Sequence, residues 1–222
     1  MITIQEETTK TPISLIGKEA GVCYGANTAD AAKNYKRGMN CIKANHGRTL
    51  EFPDVYFILD GYSARVIREF YTHIGGAPTR LQASTRYIDY TNFKYITPPK
   101  ILQNITAQNK YHETMLKIIE AIEEIQSYGI PKEDAAMLLP LGMETTVVCK
   151  MNLRTMIAMM NQRLCTRAYW EFRNLCCDLA EALEKYSDEW TEIVKMLFKP
   201  KCDAYGFCPE ERSCGRRPKK ED

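Results

Sequence analysis

The chain has 222 residues, of which 45% are hydrophobic and 26% charged, a balance that is ordinary for a soluble globular protein. A net charge of +2 excludes wholesale nucleic-acid binding by counterion release, because that mode needs a large excess of Lys and Arg. No apolar run reaches the roughly 18–20 residues that span a bilayer. Residues 1–10 are polar and acidic, unlike a secretory signal, so we expect a cytoplasmic protein that binds neither membranes nor nucleic acid.

The predicted elements of the first half alternate between strands and helices. They are a strand-like start at Ile13 within 11–24, a helix over 28–45 with Thr28 as N-cap, a strand over 54–60 and an amphipathic helix over 62–73. The segment Gly75-Gly76-Ala77-Pro78 is predicted to end that second helix.

In the second half the predicted helices are longer. The expected order is an arginine-containing segment with a strand candidate over 79–96, a long helix over 101–128, a short helix over 131–138, a turn over 139–142, a strand over 144–151, a helix over 153–161, a final long helix over 167–186 and a loop after 199. This mixture predicts an α+β fold with a mixed sheet flanked by long helices. We expect one domain over 1–200 and a basic, cysteine-containing tail over 201–222.

Nine cysteines, an odd number in a chain without a recognisable signal peptide, indicate reduced thiols. Three of them, Cys202, Cys208 and Cys214, are evenly spaced in the tail. Zinc usually takes four ligands at tighter spacing, and no histidine lies nearby in sequence. We therefore predict free thiols and no metal site, with a metal site and a disulfide as the alternatives.

Two segments, 79–87 and 152–171, carry arginines interleaved with Ser, Gln, Asn and aromatic residues. Arginine is a planar, always-charged fork that grips phosphate and polarises carbonyl groups. The pattern indicates a pocket for an anionic, planar ligand that forms hydrogen bonds, and a nucleotide fits that description.

The order of motifs resembles the flavin-dependent thymidylate synthases over residues 13–198. Four segments carry the resemblance: His46-Gly47-Arg48-Thr49-Leu50-Glu51, Ser84-Thr85-Arg86-Tyr87, Leu139-Pro140-Leu141 followed by Asn152-Leu153-Arg154, and the stretch from Arg163 to Glu171. Each motif is weak alone, but the four occur in the family's order at compatible spacings.

The resemblance implies that dUMP is methylated to dTMP, with methylenetetrahydrofolate as the one-carbon donor, FAD as the cofactor and NADPH as the reductant. It also implies a homotetramer and no protein thiol as nucleophile. Arg163 matches the family residue that stabilises negative charge on the uracil ring, so Arg163 is the predicted catalytic residue.

The predicted site residues form two sets. The substrate-binding set is Arg68, Glu69, Thr72, Gln82, Ser84, Arg86 and Arg163. The cofactor-binding set is His46, Arg48, Glu51, His73, Arg80, Asn152 and Arg154. Ser84 and Arg86, two residues apart, point to the same side if this segment is an extended strand. Asn152 also suits the N-cap of the following helix.

Three departures from the family pattern keep two alternatives open. Thr72-His73-Ile74 stands where the family has Arg-His-Arg, Leu81-Gln82 replaces Asn-Glu, and Ala136 replaces an arginine that resembles a phosphate ligand. Arg80, Arg68 and Arg154 are the candidates to compensate. The alternatives are a family member that makes hydroxymethyl-dUMP, which the product mass distinguishes, and a catalytically degenerate dUMP-binding protein, which purifies without flavin.

Overall fold

The computed structural model describes residues 1–73 and 79–220, and they form an α+β protein as predicted. The strands are β1 (Ile2–Ile4), β2 (Asp54–Ser63), β3 (Thr79–Gln82) and β4 (Glu144–Asn152). The helices are α1 (Pro12–Cys23), α2 (Ala31–Lys43), α3 (Ala64–Phe70), α4 (Pro99–Leu102), α5 (Ile105–Ser127), α6 (Lys132–Ala135), α7 (Leu153–Arg163), α8 (Trp170–Tyr186), α9 (Asp188–Leu197) and α10 (Lys201–Tyr205). Two 3-10 turns cover Gly47–Glu51 and Ala136–Leu138.

The four strands form one sheet in the order β1-β2-β4-β3. The carbonyl of residue 1 accepts from the N–H of residue 60, and the N–H of residue 5 donates to the carbonyl of residue 56. Strands β1 and β2 therefore run antiparallel. The N–H of residue 153 donates to the carbonyl of residue 53, and that of residue 64 donates to residue 143, so β4 is also antiparallel to β2. Both pairs are antiparallel, so the prediction of a mixed sheet is wrong for them.

The chain divides into two compact units. Unit 1 comprises Met1, Leu59–Tyr71 and Leu81–Val147, and unit 2 comprises Ile2–Ile58, Thr72–Arg80 and Val148–Asp222. The predicted boundary near residue 200 stays a prediction. The predicted helix end at 75–78 and Ile74 of the motif comparison lie outside the described residues. Within residues 1–73 and 79–220, no helix is long and apolar enough to cross a membrane.

Unit 1 is built on the long helix α5. Asn104 caps it by accepting the Ala107 N–H at 3.0 Å, and Met115 and Ile122 are buried on one face, as the apolar spacing predicted. The small core also contains Tyr90, Phe93, Ala135 and Met143. The predicted helix over 101–128 is thus confirmed, with a break at 103–104 that separates α4 from α5.

Unit 2 has a helical core in which α8 packs on α9 and α9 contacts α1. Helices α1 and α2 approach closely because each has a glycine at the crossing. A Cβ on Gly17 would lie 1.8 Å from the backbone oxygen of Asn34, and one on Gly38 would lie 1.9 Å from that of Ile13. Only glycine fits at this contact, so the sequence itself sets how close the two helices come.

Several predicted elements need correction. The strand-like start at 11–24 is helix α1: Pro12 opens it, and Ile13, Ile16 and Ala20 are buried at helical rather than alternating spacing. The second helix begins at Ala31, because Asp30 rather than Thr28 is the N-cap, accepting from the Lys33 N–H at 3.0 Å.

Other differences fall in the strand candidates and the tail. Within 79–96 only β3 forms a strand. Helix α8 begins at Trp170 rather than at 167, and α9, α10 and β1 were not predicted. The buried side chains of Trp190, Ile193 and Val194 occur at helical spacing, so the signal for α9 was present in the sequence. The remaining predicted helices and the strands at 54–60 and 144–151 are confirmed with shifts at their ends.

Candidate functional site

Unit 2 contains a cleft of about 550 Å³, within the size range of small-molecule and cofactor sites. The 3-10 turn after α2 and the junction of β4 with α7 supply most of its polar wall. The lining residues are Arg48, Glu51, Thr72, His73, Asn152, Arg154, Thr155 and Ala158. Six of these eight were selected from the sequence, although they come from three separate segments.

A charged cluster stands at one side of this cleft. Arg154 Nη1 donates to Glu51 Oε1 at 2.6 Å, and Arg48 Nη1 donates to Glu51 Oε2 at 2.9 Å. The hydrogen bond from Arg154 and then that from Arg48 hold the pKa of Glu51 below its ordinary value, so the carboxylate is ionised at neutral pH. One carboxylate between two guanidinium groups leaves the cluster positive, which favours an anionic ligand.

The junction of β4 and α7 is fixed by a helix cap. Asn152 Oδ1 accepts from the Thr155 N–H at 2.9 Å, which confirms the predicted N-cap. This cap sets the first turn of α7 against the cleft. Thr155 and Ala158, which sequence reasoning missed, line the cleft on the same helix, and their three-residue spacing from Asn152 was the available signal.

The predicted catalytic residue, Arg163, is the last residue of α7 and is half-buried. Its Nε donates to Nε2 of His73 at 2.8 Å, and its guanidinium carbon lies 4.5 Å from the centre of the Phe172 ring. The same ring meets His73 edge-on, with the ring centres 5.4 Å apart. Thr72 Oγ1 lies 3.5 Å from Arg163 Nη2, at the long limit of a hydrogen bond.

The imidazole of His73 is neutral at physiological pH. Burial, and then the positive charge of Arg163, lower the pKa of His73 from 6.5 to about 4. A neutral imidazole has one acceptor nitrogen, and Nε2 uses it to accept from Arg163. Phe172 is fully buried, and its ring supports both partners of this pair.

Five of the predicted substrate-binding residues belong to unit 1. Arg68 is exposed in the last turn of α3, and Glu69 next to it is half-buried. Gln82 Oε1 accepts from the Tyr71 hydroxyl at 3.0 Å, and Gln82 Nε2 donates to Thr145 Oγ1 at 3.4 Å. Gln82 thus ties the end of α3 to β4.

Ser84 and Arg86 also lie in unit 1, but not on an extended strand. Ser84 Oγ accepts from the Arg86 N–H at 3.1 Å and the Ser84 carbonyl accepts from the Ile88 N–H, which makes a turn. The predicted same-side strand geometry is therefore wrong, because the serine hydroxyl binds its own backbone. Arg86 forms an exposed ion pair with Glu133, with Nε 2.6 Å from the carboxylate oxygen.

The last two predicted residues lie in unit 2 but do not line the cleft described above. His46 precedes the 3-10 turn, is exposed, and its carbonyl accepts from the Thr49 N–H at 3.0 Å. Arg80 lies on β3, close enough to Cys149 to oppose the rise in that thiol's pKa. Ala136 begins the 3-10 turn after α6 in unit 1.

Among residues 1–73 and 79–220, no group of three or more His, Cys, Asp or Glu residues is arranged to hold a metal ion. What the cleft offers instead is fixed positive charge, one neutral imidazole and helix-end polar groups. These groups suit a phosphate-bearing ligand with a planar ring.

Comparison with known proteins gives a consistent answer. Residues 6–187 match the family model described as thymidylate synthase complementing protein. The chain is 28% identical to a flavin-dependent thymidylate synthase of Nitratidesulfovibrio vulgaris, with 95% of this chain and 92% of that one covered. It is 30% identical to one from Pyrococcus furiosus, with 74% and 68% covered, and 27% identical to one from Clostridium tetani, with 95% and 91% covered.

Proposed function

Because the chain belongs to the thymidylate synthase complementing protein family, we propose that it is a flavin-dependent thymidylate synthase that methylates dUMP to dTMP. Methylenetetrahydrofolate is the one-carbon donor, NADPH the reductant and FAD the cofactor. The observation that carries the proposal is the cleft of unit 2, which gathers six residues predicted from the sequence, four of them in the family motifs, from three separate segments.

The cleft fits a flavin dinucleotide in charge and size. Arg48 and Arg154 stand on either side of Glu51, and a pyrophosphate would meet their excess positive charge. The first turn of α7, capped by Asn152, adds the positive end of a helix dipole to the same wall. When bound, FAD supplies the two-electron chemistry that passes a hydride from the nicotinamide to the one-carbon unit.

Arg163 is the residue to which we assign polarisation of the uracil ring. Carbon five must become electron-rich before it attacks the one-carbon unit, and a guanidinium against the ring carbonyl stabilises the negative charge that develops. The hydrogen bond to His73 and the contact with Phe172 fix the orientation of this guanidinium. Because His73 is neutral, it orients Arg163 without adding a second positive charge.

Two buried thiols of unit 2, Cys149 and Cys176, are unsuited to nucleophilic attack. Burial raises the pKa of Cys149 to about 12 and that of Cys176 further still. A thiol that stays protonated is a poor nucleophile, and both side chains are buried. These two thiols fit the proposed mechanism, in which the uracil is activated by charge rather than by covalent attack.

We assign the substrate phosphate and sugar to the predicted residues of unit 1. The ion pair of Arg86 with Glu133 is solvent-exposed, and such pairs contribute little stability, so a phosphate can replace the carboxylate. Arg68, Ser84 and Gln82 supply further polar contacts, and Glu69 suits a ribose hydroxyl. Thr72, His46 and Arg80 keep the substrate and cofactor roles proposed from the sequence.

The experiment is an absorption spectrum of the purified protein, followed by anaerobic reduction with NADPH and reoxidation with dUMP and methylenetetrahydrofolate. We expect a bound flavin whose reoxidation requires both substrates, and dTMP by mass spectrometry. A product heavier by one oxygen would favour the hydroxymethyl alternative. Protein that binds dUMP but no flavin would contradict the proposal and favour the degenerate binding protein.

A further inference from the structure

The tail of unit 2 folds back to form a second cavity, of about 270 Å³, which we call the tail cavity. Four cysteines line it: Cys165, Cys202, Cys208 and Cys214. Three of them are the evenly spaced tail cysteines, and all four are free thiols. The proposed synthase reaction uses none of these groups, so the cavity needs its own explanation.

Backbone and side-chain contacts hold the tail in place around this cavity. Arg216 and Arg217 both pair with Asp203 on α10, at 2.5 and 2.9 Å. The Cys208 N–H donates to the Pro218 carbonyl at 2.7 Å, and Arg167 Nη1 donates to the Arg212 carbonyl at 2.6 Å. Apart from α10, the predicted loop after 199 is confirmed, and residues 211–220 are exposed, but these contacts fix the path of the tail around the cavity.

The surroundings of the tail cavity are positively charged. Its lining includes Lys201, Arg167, Arg216 and Arg217 against the single carboxylate of Glu210. Even after Asp203 is counted as the partner of two arginines, cationic groups are in excess. An anionic ligand would meet this excess of positive charge.

Within this setting Cys214 is the thiol prepared for reaction. It is exposed, whereas Cys202 is buried and Cys165 and Cys208 are half-buried. A hydrogen bond from the Thr166 side chain and another from the Arg216 backbone lower the pKa of Cys214, and the charge of Arg216 acts in the same direction. Accessible cysteines with greater thiolate character, near arginine, are the ones that exchange with disulfides.

We propose that the tail cavity is a modification site at which Cys214 undergoes exchange with a small disulfide that carries negative charge. The Cys214 thiol loses its proton to solvent, and the thiolate attacks one sulfur of the disulfide. The sulfur–sulfur bond of the reagent breaks, a bond forms between Cys214 Sγ and one half of the reagent, and the other half leaves as a thiolate that takes up a proton. The lining arginines bind the acidic groups of the attached half.

Two exposed cysteines of the same chain serve as internal controls. The residue Cys177 is exposed, but partial burial of its thiol group and the charge of Asp178 raise the pKa of that thiol. Cys23 is exposed and lies at the end of α1. Neither residue lines the tail cavity. Arg173 acts on Cys177 in the opposite direction to Asp178 but does not outweigh burial and that carboxylate, so the two rates report exposure without the arginines of the tail cavity.

The test compares two disulfides of opposite charge on the full, reduced chain: oxidised glutathione, which is anionic, and cystamine, which is cationic. Peptide mapping by mass spectrometry follows the adduct at each cysteine with time. With oxidised glutathione we expect Cys214 to react about tenfold faster than Cys177 and Cys23. We also expect Cys214 to prefer oxidised glutathione to cystamine, and Cys177, next to Asp178, to show the opposite preference.

Two variants separate the causes. Thr166→Ala should slow modification of Cys214 by either reagent, and Arg216→Gln should reduce its preference for the anionic one, while both leave Cys177 unchanged. Equal rates at the three exposed cysteines, or a preference of Cys214 for cystamine, would overturn the proposal. So would stoichiometric zinc in the purified chain that protects Cys214. The rates of Cys214, Cys177 and Cys23 in the unmodified chain test the proposal even if a variant folds poorly.

Discussion

At the scale of single residues, the pair of Arg163 and His73 is the most informative feature of unit 2. The imidazole is neutral because burial and the guanidinium both disfavour a second positive charge. Its acceptor nitrogen then holds Arg163 Nε, and Phe172 supports both side chains. The pair thus combines a fixed positive charge with a defined direction, which is what polarisation of a substrate carbonyl requires.

Replacing Arg163 with alanine should reduce dTMP formation about 100-fold or more, because a preorganised charge at the transition state is lost. Flavin content should be unchanged, since Arg163 does not line the cleft of unit 2. Turnover assays and the absorption spectrum measure both quantities. Arg173→Ala, which removes an arginine that donates to the Thr166 carbonyl, is the control. An Arg163→Ala enzyme of normal activity would exclude the polarising role.

The lowered pKa of His73 makes a prediction for stability against pH. Between pH 6.5 and about 4 the unfolded chain binds a proton at this residue and the folded chain does not, so protonation favours unfolding. Stability from this residue is therefore complete above pH 6.5 and is lost as the pH falls through this window. We expect the urea midpoint to fall more between pH 7 and pH 5 for the unmodified chain than for His73→Gln. Parallel declines would contradict the lowered pKa.

At the scale of elements, Asn152 serves both the helix and the cleft. It caps α7 and it lines the proposed flavin site. The two roles can be separated by substitution, because aspartate also caps helices well whereas alanine does not. Helix N-termini also bind anions, because their free backbone N–H groups and the helix dipole favour negative charge there.

Asn152→Ala should lower the free energy of unfolding by about 1 kcal/mol through loss of the cap. Asn152→Asp should keep that stability but weaken FAD binding by about tenfold, because a carboxylate would stand near the phosphates. Chemical denaturation and flavin titration measure the two effects. If Asn152→Asp bound FAD as tightly as the unmodified chain, the position of the cofactor next to α7 would be wrong.

The contact between α1 and α2 gives the second prediction at this scale. Alanine at position 17 gains about 1 kcal/mol of helix propensity, but its Cβ would lie 1.8 Å from the Asn34 backbone oxygen, which cannot rotate away. We expect Gly17→Ala to lower the free energy of unfolding by about 3 kcal/mol. Lys18→Ala, one residue further on the exposed face of α1, should change it by less than about 0.5 kcal/mol. A stabilised Gly17→Ala variant would contradict the close crossing.

At the scale of the whole molecule, ligand binding and assembly can be measured together. FAD at about one hundred times its dissociation constant should stabilise the folded chain by about 2.7 kcal/mol and raise the melting temperature. The control is an Arg48→Glu and Arg154→Glu double variant, which should show no such shift. If flavin raised the melting temperatures of the unmodified chain and of the double variant equally, the cleft of unit 2 would not be the flavin site.

The predicted homotetramer can be tested on the same protein by light scattering, which should give four times the chain mass of 25.5 kDa.

The sequence alone determined the features that depend on local patterns and motifs. The spacing of Met115 and Ile122 predicted helix α5, and the polar residue before an apolar stretch predicted the cap at Asn152. The order of motifs identified the family, and the sequence selected six residues of the cleft, four of them within those motifs, before their positions were known. These features were accessible because helix periodicity and caps are encoded within a few neighbouring residues.

Only the tertiary structure decided which distant groups meet. The neutral state of His73 depends on burial and on Arg163, which is 90 residues away. The turn at Ser84 and Arg86 replaced an expected strand, because a hydroxyl bonded to its own backbone overrode strand composition. The tail cavity brings Cys165 together with cysteines that follow much later. Burial and electrostatics depend on all neighbours in space, and a sequence gives only the neighbours along the chain.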